Sequence, residues 1–147
     1  AERFNSVWNG LQVIKRKGYV YIHDGARPFI DEGIIERAYE CVCKSDACIA
    51  GMPVKDTIKI VNERQRVEST PDRATLWAIQ TPQVFSADLL LEAYGKLMKQ
   101  NLIQVTDDAM AVEKMLNHEV RVFTGKYENI KITTPEDLVI AEAFLGK

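Results

Sequence analysis

The chain has 147 residues, 46% of them hydrophobic and 27% charged, with a formal net charge of −2. This is the size and balance of one ordinary globular domain, long enough to bury a core. A slightly acidic chain has no global attraction for nucleic acid, and no apolar run approaches the ~18 residues needed to cross a membrane.

The first residues, Ala1-Glu2-Arg3, include neither an initiator Met nor a signal-peptide pattern, so the expectation is a chain that starts inside a longer sequence. The three cysteines, Cys41, Cys43 and Cys48, are an odd set that suits a reducing, cytoplasmic setting. Zinc sites usually pair two ligand clusters, so packed thiols are the better reading of C-x-C-x4-C.

Apolar residues at helical spacing (Val7, Trp8, Leu11, Ile14) predict a helix over Asn5–Lys17, stopped by Gly18. Tyr19–Ile22 reads as a short buried strand that ends in the loop His23–Pro28. A second helix is expected over Asp31–Lys44, then a strand over Cys48–Val54 interrupted by Gly51 and Pro53. Thr57–Val61 and Arg66–Ser69 alternate around the polar Asn62–Gln65, the pattern of a projecting β-hairpin. Thr70–Arg73 turns the chain and Leu76–Ile79 returns it.

Further on, Ser86 is a candidate cap for a helix reaching about Gln100, and Thr106 for one over Asp107–Asn117. Val120–Phe123 and Asn129–Thr133 read as short strands, and Thr134-Pro135 opens the final helix. Helices and strands alternating in this way predict an α/β fold, a Rossmann-like, mainly parallel sheet flanked by helices with a hairpin arm. Ligands then bind beyond the carboxyl ends of the strands, at His23–Pro28, Val54–Thr57 and Lys131–Thr134.

Several residues in those loops have usable chemistry. Asp24 leaves a buried strand and can hold Mg²⁺, which favours one or two carboxylates plus phosphate oxygens; a local ion pair with Arg27 is the alternative. Arg27 carries a planar fork suited to phosphate. Lys131, between Ile130 and Ile132, can neutralise a phosphate or simply snorkel into water. Lys55 and Arg73 flank the hairpin. Thr57, Thr81 and Thr106 are hydroxyls near turns or helix starts. His23 and His118 lack partners at triad or metal spacing and read as structural.

Taken together, the strings HDGARPF (23–29), PVKDTIK (53–59), TPDRATLWAIQTPQVF (70–85), TDDA (106–109) and NIKITTPEDL (129–138), with SVWNGL (6–11), resemble the 2-C-methyl-D-erythritol 4-phosphate cytidylyltransferases of the non-mevalonate isoprenoid pathway. The resemblance runs the length of the chain. It implies a reaction in which CMP passes from CTP to methylerythritol phosphate with Mg²⁺ present. It implies Asp24 as the metal ligand bridging to CTP, with Ser6 and Gly25 near the nucleotide. Arg27, Thr57, Thr81 and Thr106 would surround the acceptor, while Arg73 and Lys131 hold its phosphate. It further implies a homodimer joined through an arm at 57–80, each site drawing on both chains.

Members of this family begin with a strand, a glycine-rich loop and a Pro-Lys-Gln element that bind the triphosphate, and none of these strings occurs here. The expectation is therefore one truncated nucleotidyltransferase domain over 1–147, with N-terminal strands missing and its own N-terminal fragment as a further partner. Such a chain should be inactive alone, and CMP transfer by a preparation free of the N-terminal part would refute that. Two other readings stand beside this one: a ribitol-5-phosphate cytidylyltransferase, and a non-catalytic module that only dimerises or binds a phosphate.

Overall fold

In a computed structural model of the chain, residues 3–100 and 105–146 are described. The described residues form an α/β layer structure, with a four-stranded sheet between helices on both faces and a separate two-stranded hairpin. The helices are α1 (Arg3–Leu11), α2 (Glu32–Ser45), α3 (Ala87–Leu97), α4 (Asp108–Leu116) and α5 (Pro135–Leu145). The sheet is built from β1 (Tyr19–Ile22), β2 (Ala47–Pro53), β5 (Trp77–Ser86) and β6 (Arg121–Thr124), and the hairpin from β3 (Ile60–Val61) and β4 (Val67–Ser69).

The sheet order is β1-β5-β2-β6. Of its three pairings, β2 with β6 is parallel, while β5 runs antiparallel to both β1 and β2. The α/β class holds, but the sheet is mixed, not mainly parallel. The long central strand β5 runs against its neighbours because the hairpin turns the chain back immediately before it.

Period-two alternation sorts the two cores. Ala47, Ile49 and Phe85 point to one side, where Leu90, Ala93, Tyr94, Ala109 and Val112 of α3 and α4 meet them and α1 adds Leu11. Cys48, Ala50 and Val84 point to the other, against Ile34, Ala38 and Val42 of α2. Since both faces of β2 are covered, its first five residues are all buried. Burial pushes the Cys48 thiol far up from its ordinary range, and its Sγ donates to the Ala38 carbonyl at 3.4 Å.

β1 is not the buried strand expected: at the sheet edge its residues alternate between exposed (Tyr19, Tyr21) and half-buried (Val20, Ile22). Other sequence expectations shift by a few residues. α1 ends at Leu11, not Lys17, and Gly18 carries a φ of +150°. The hairpin pairs over 60–61 and 67–69 only. Ser86 occupies the N-cap position of α3 without a side-chain cap bond, and α3 ends at Leu97. Asp107, not Thr106, caps α4, its carboxylate accepting from the Met110 N–H at 2.9 Å. A carboxylate is the stronger cap here because it also answers the positive helix start. Asn129–Thr133 is not a strand among the described residues. It is a loop held by Ile132 N–H donating to the Ala26 carbonyl at 2.8 Å.

Strand β5 is longer than the expected Leu76–Ile79, and it contains a proline in a central position. The reason lies in its ladders. Against β2, Ile49 pairs with Gln83 and Gly51 with Ile79, so Gln80, Thr81 and Pro82 together oppose Ala50. The β1 ladder also stops at Gln83. Proline is tolerated because it sits in this bulge, where no ladder N–H is required.

Gln80 crosses from the bulge to the loop after β6. Its Nε2 donates to the Lys126 carbonyl at 2.7 Å, and its Oε1 accepts from Asn129 Nδ2 at 3.3 Å. Gly125 makes room for this amide, since a Cβ there would lie 2.3 Å from Gln80 Oε1. Gly125→Ala should therefore displace Gln80 from its partners and destabilise the fold by about 1–3 kcal/mol. Urea unfolding of the two proteins side by side measures this, and equal midpoints would contradict it.

Candidate active site

The loops leaving β1 and β6, the bulge of β5 and the start of α4 converge on one polar cleft of about 160 Å³. Asp24, Arg27, Gln80, Thr81, Gln83, Thr106, Asp107 and Lys131 are among the residues that line it. It lies beyond the carboxyl ends of β1 and β6, where an α/β sheet places its ligands.

Asp24 is the electrostatic centre. The Lys131 ammonium lies 3.1 Å from Asp24 Oδ2, and Arg27 Nε lies 3.7 Å from the same oxygen. The second distance is an ion pair longer than a hydrogen bond, and Arg27 Nε has no hydrogen-bond partner. Burial lowers the Arg27 pKa from its ordinary value and Asp24 pushes it back up, so the guanidinium stays cationic. Its Nη1 donates to the Asn129 carbonyl at 2.7 Å, which fixes the fork in a side chain only 12% exposed.

Neutral amides hold the walls. Asn129, fully buried, donates from Nδ2 to the Thr81 carbonyl at 2.8 Å, so the bulge and the Lys131 loop are fastened together. Its Oδ1 has no hydrogen-bond partner. Gln83 Oε1 accepts from the Asp108 and Ala109 N–H groups at 3.0 and 3.1 Å, and Gln83 Nε2 donates to Asp107 Oδ2 at 2.9 Å. One buried amide thereby serves as a second cap for α4 and carries Thr106 and Asp107 to the cleft. Asp108, buried one residue on, accepts from the Tyr94 hydroxyl.

The structure brings together Asp24, Arg27, Thr81, Thr106 and Lys131 from the sequence analysis. It does not bring the others there. Arg73 is exposed at the foot of the hairpin, its Nη1 donating to the Lys55 carbonyl at 2.9 Å, and lines a different depression with Pro53, Val54 and Trp77. Thr57 is exposed in the chain leading to β3. Ser6 is on the exposed side of α1, opposite the core-packed Val7 and Trp8. Gly25 is exposed in the turn closed by Arg27 N–H and the Asp24 carbonyl. Lys55 lies with its ammonium 3.5 Å from the centre of the Tyr127 ring.

Sequence reasoning missed Gln80, Gln83, Asp107 and Asn129. Gln80 and Gln83 fall within an otherwise apolar strand, and a buried amide must find partners there. That was the available signal.

With the geometry in view, the comparisons decide the family. A family model described as IspD, 2-C-methyl-D-erythritol 4-phosphate cytidylyltransferase, matches residues 1–147. The chain belongs to this family. Among curated IspD proteins it is 58% identical over 145 residues to one from Lachnospira eligens, covering 98% of this chain and 64% of that protein. It is 51% identical over 145 residues to one from Alkaliphilus oremlandii, covering 98% of this chain and 61% of that protein. The chain thus spans under two thirds of the length of these relatives.

Among solved structures, the 4-diphosphocytidyl-2C-methyl-D-erythritol synthase from Anaerococcus prevotii superposes with a TM-score of 0.91 at 35% identity. It covers all of this chain and 68% of that one. The Thermus thermophilus cytidylyltransferase gives 0.88 at 33% identity, covering 99% of this chain and 70% of that one.

Beyond Lys131, the loop is tied to α5 through Asp137, whose Oδ2 accepts from the Thr133 and Thr134 N–H groups, each at 2.9 Å. These bonds hold the Asp137 pKa below its ordinary value. A depressed carboxylate contributes its full stability above the unfolded-state pKa, about 3.9, and loses it as pH falls through the folded-state value. Asp137→Asn should flatten the acid side of the stability curve below about pH 4 relative to the parent. Chemical unfolding at a series of acid pH values tests this, and parallel curves would contradict it.

Proposed function

We propose that the full-length protein transfers CMP from CTP to 2-C-methyl-D-erythritol 4-phosphate, releasing diphosphate and forming 4-diphosphocytidyl-2-C-methyl-D-erythritol, and that residues 1–147 alone are inactive. The observation that carries this reading is the Asp24 carboxylate held by Lys131 and Arg27 in one cleft, within a chain of this family. Two anionic reactants must approach each other, so cations are needed to offset their repulsion and steady the charge that develops. Arg27 and Lys131 supply two of these.

Lys131, 46% exposed, can swing from Asp24 to a bound phosphate at little cost. Arg27, clamped to the Asn129 carbonyl, is the fixed charge. Thr81 and Thr106 offer hydroxyls to the acceptor.

Magnesium enters this proposal through Asp24. Among the described residues no group of three or more His, Cys, Asp or Glu could hold a metal, and Asp107 is already bonded to Gln83 and the Met110 N–H. The donor set fits a cation that takes one carboxylate from the protein and its other ligands from phosphate oxygens and water. When bound, such an ion would neutralise charge on the nucleotide phosphates. Ser6 and Gly25 remain candidates for nucleotide contact.

Arg73 and Thr57 fit the proposal only if two chains share each site. The hairpin exposes Ile58, Ile60, Val61 and Val67, an apolar surface suited to a second copy. In that homodimer Arg73 works in the partner's cleft. The working compartment is the cytoplasm, in keeping with three unpaired thiols; no described helix is long and apolar enough to cross a membrane.

In the full-length protein, Asp24→Asn and Lys131→Ala should each lower kcat/KM by on the order of 10²–10³. Chelation should abolish turnover and Mg²⁺ restore it. The assay is CTP-dependent diphosphate release with methylerythritol phosphate and, in parallel, ribitol 5-phosphate; preference for the latter, or no turnover with either, refutes the assignment. Arg73→Ala and Lys131→Ala chains, mixed and re-equilibrated, should regain about a quarter of the parental activity. Half the dimers then hold one intact site of two. No recovery would place Arg73 outside the partner's site.

A further inference from the structure

Two hydrogen bonds at the cleft have only one possible direction. The Asp24 backbone N–H can only donate, so Thr81 Oγ1, 3.0 Å away, accepts from it. The Arg27 carbonyl can only accept, so His23 Nε2, 2.9 Å away, carries a hydrogen. Between them, Thr81 Oγ1 and His23 Nδ1 are 3.1 Å apart. A neutral imidazole protonated on Nε2 has Nδ1 as an acceptor, and only the Thr81 hydroxyl hydrogen is placed to fill it.

With the imidazole neutral, the two ends of this chain of bonds set the direction of the middle one. Thr81 spends its hydrogen on His23 and one lone pair on Asp24, which leaves one lone pair for anything bound in the cleft that it lines.

We propose that His23 sets Thr81 as an acceptor-only group, so that this wall recognises a hydroxyl of the acceptor and disfavours an anionic oxygen. The proposal rests on the reaction reading above and deepens it. On that reading phosphate oxygens would go to Arg27 and Lys131, which only donate, and a hydroxyl of the acceptor would meet Thr81, which lines the same cleft. An anionic oxygen placed at Thr81 would meet a lone pair where it needs a donor, and an unpaired buried acceptor is expensive. His23, read from the sequence as structural, becomes a positioning residue. It touches no reacting atom and acts through the rotor of Thr81 and the backbone of Asp24.

The test has an arm that needs no turnover. Ring ¹⁵N resonances of His23, at a pH where imidazoles are neutral, should show the Nε2–H tautomer with a hydrogen-bonded Nδ1. Thr81→Ser should retain that signature, and Thr81→Val should release Nδ1. An Nδ1–H tautomer or an imidazolium in the parent would overturn the proposal.

In the full-length protein, Thr81→Val should raise KM for methylerythritol phosphate about three- to tenfold, more than it raises KM for CTP. His23→Phe, or His23→Gln should the first not fold, frees the hydroxyl to donate. It should strengthen inhibition by inorganic phosphate several-fold, and Thr81→Val added to it should remove that gain. Unchanged phosphate inhibition in both His23 variants would also overturn the proposal. Should the parent not turn over methylerythritol phosphate at all, the reaction reading fails, while the tautomer and the phosphate binding of these variants still decide this one.

Discussion

The site depends on three residues of one strand that leave their ladder. Where Gln80, Thr81 and Pro82 together face Ala50, backbone and side-chain polar groups that a regular sheet would consume are released into the interior. They must be satisfied there, and the partners they find are the loops after β1 and β6. Gln80 takes the Lys126 carbonyl, the Thr81 carbonyl takes the Asn129 amide, and the Thr81 hydroxyl takes the Asp24 N–H. The irregularity is what ties loops distant in sequence to one strand.

That constraint explains how two cations come to surround one carboxylate. Arg27 follows Asp24 by three residues and their pairing is local, but Lys131 arrives from more than a hundred residues away. It reaches Asp24 because Asn129, two residues earlier, is buried and fastened to the bulge, and because Asp137 holds the chain two residues later. Arg27 adds a second tie by donating to the Asn129 carbonyl. An ammonium on a four-carbon stem needs such anchoring on both sides before its position carries chemical meaning.

The opposite wall is made in the same way, with an amide where a charge would be costly. Gln83 is buried on the strand and reaches the first N–H groups of α4 together with the capping carboxylate of Asp107. A charged residue there would require its own counter-ion in the core. A glutamine donates and accepts at once, and so closes the arrangement without net charge.

Most of the helices, the edge strand β1, the buried strand β2 and the exposed hairpin were legible in the chain. Each depends on a local period: three to four residues for α2 and α3, unbroken apolar runs for β1 and β2, alternation for the hairpin. Strand β5 was not legible beyond Ile79, because Pro82 and the amides Gln80 and Gln83 contradict the pattern of a central strand, and only the register explains them. Asn129–Thr133 misled for the converse reason. It has the composition of a strand, but among the described residues no neighbour pairs with it, and a ladder is a property of two segments.

The sequence by itself determined the family, the α/β class and the polar strings from which a phosphate site would be drawn. It did so because those strings are local and each loop carries its residues wherever the fold takes it. Only the tertiary structure decided which strings meet: Asp24, Arg27, Thr81, Thr106 and Lys131 in one cleft, and Arg73, Thr57 and Ser6 elsewhere on the same chain. It also decided that His23 and Gln83 have work to do. Hydrogen-bond direction and burial depend on neighbours far along the chain, and no spacing within a single segment encodes them.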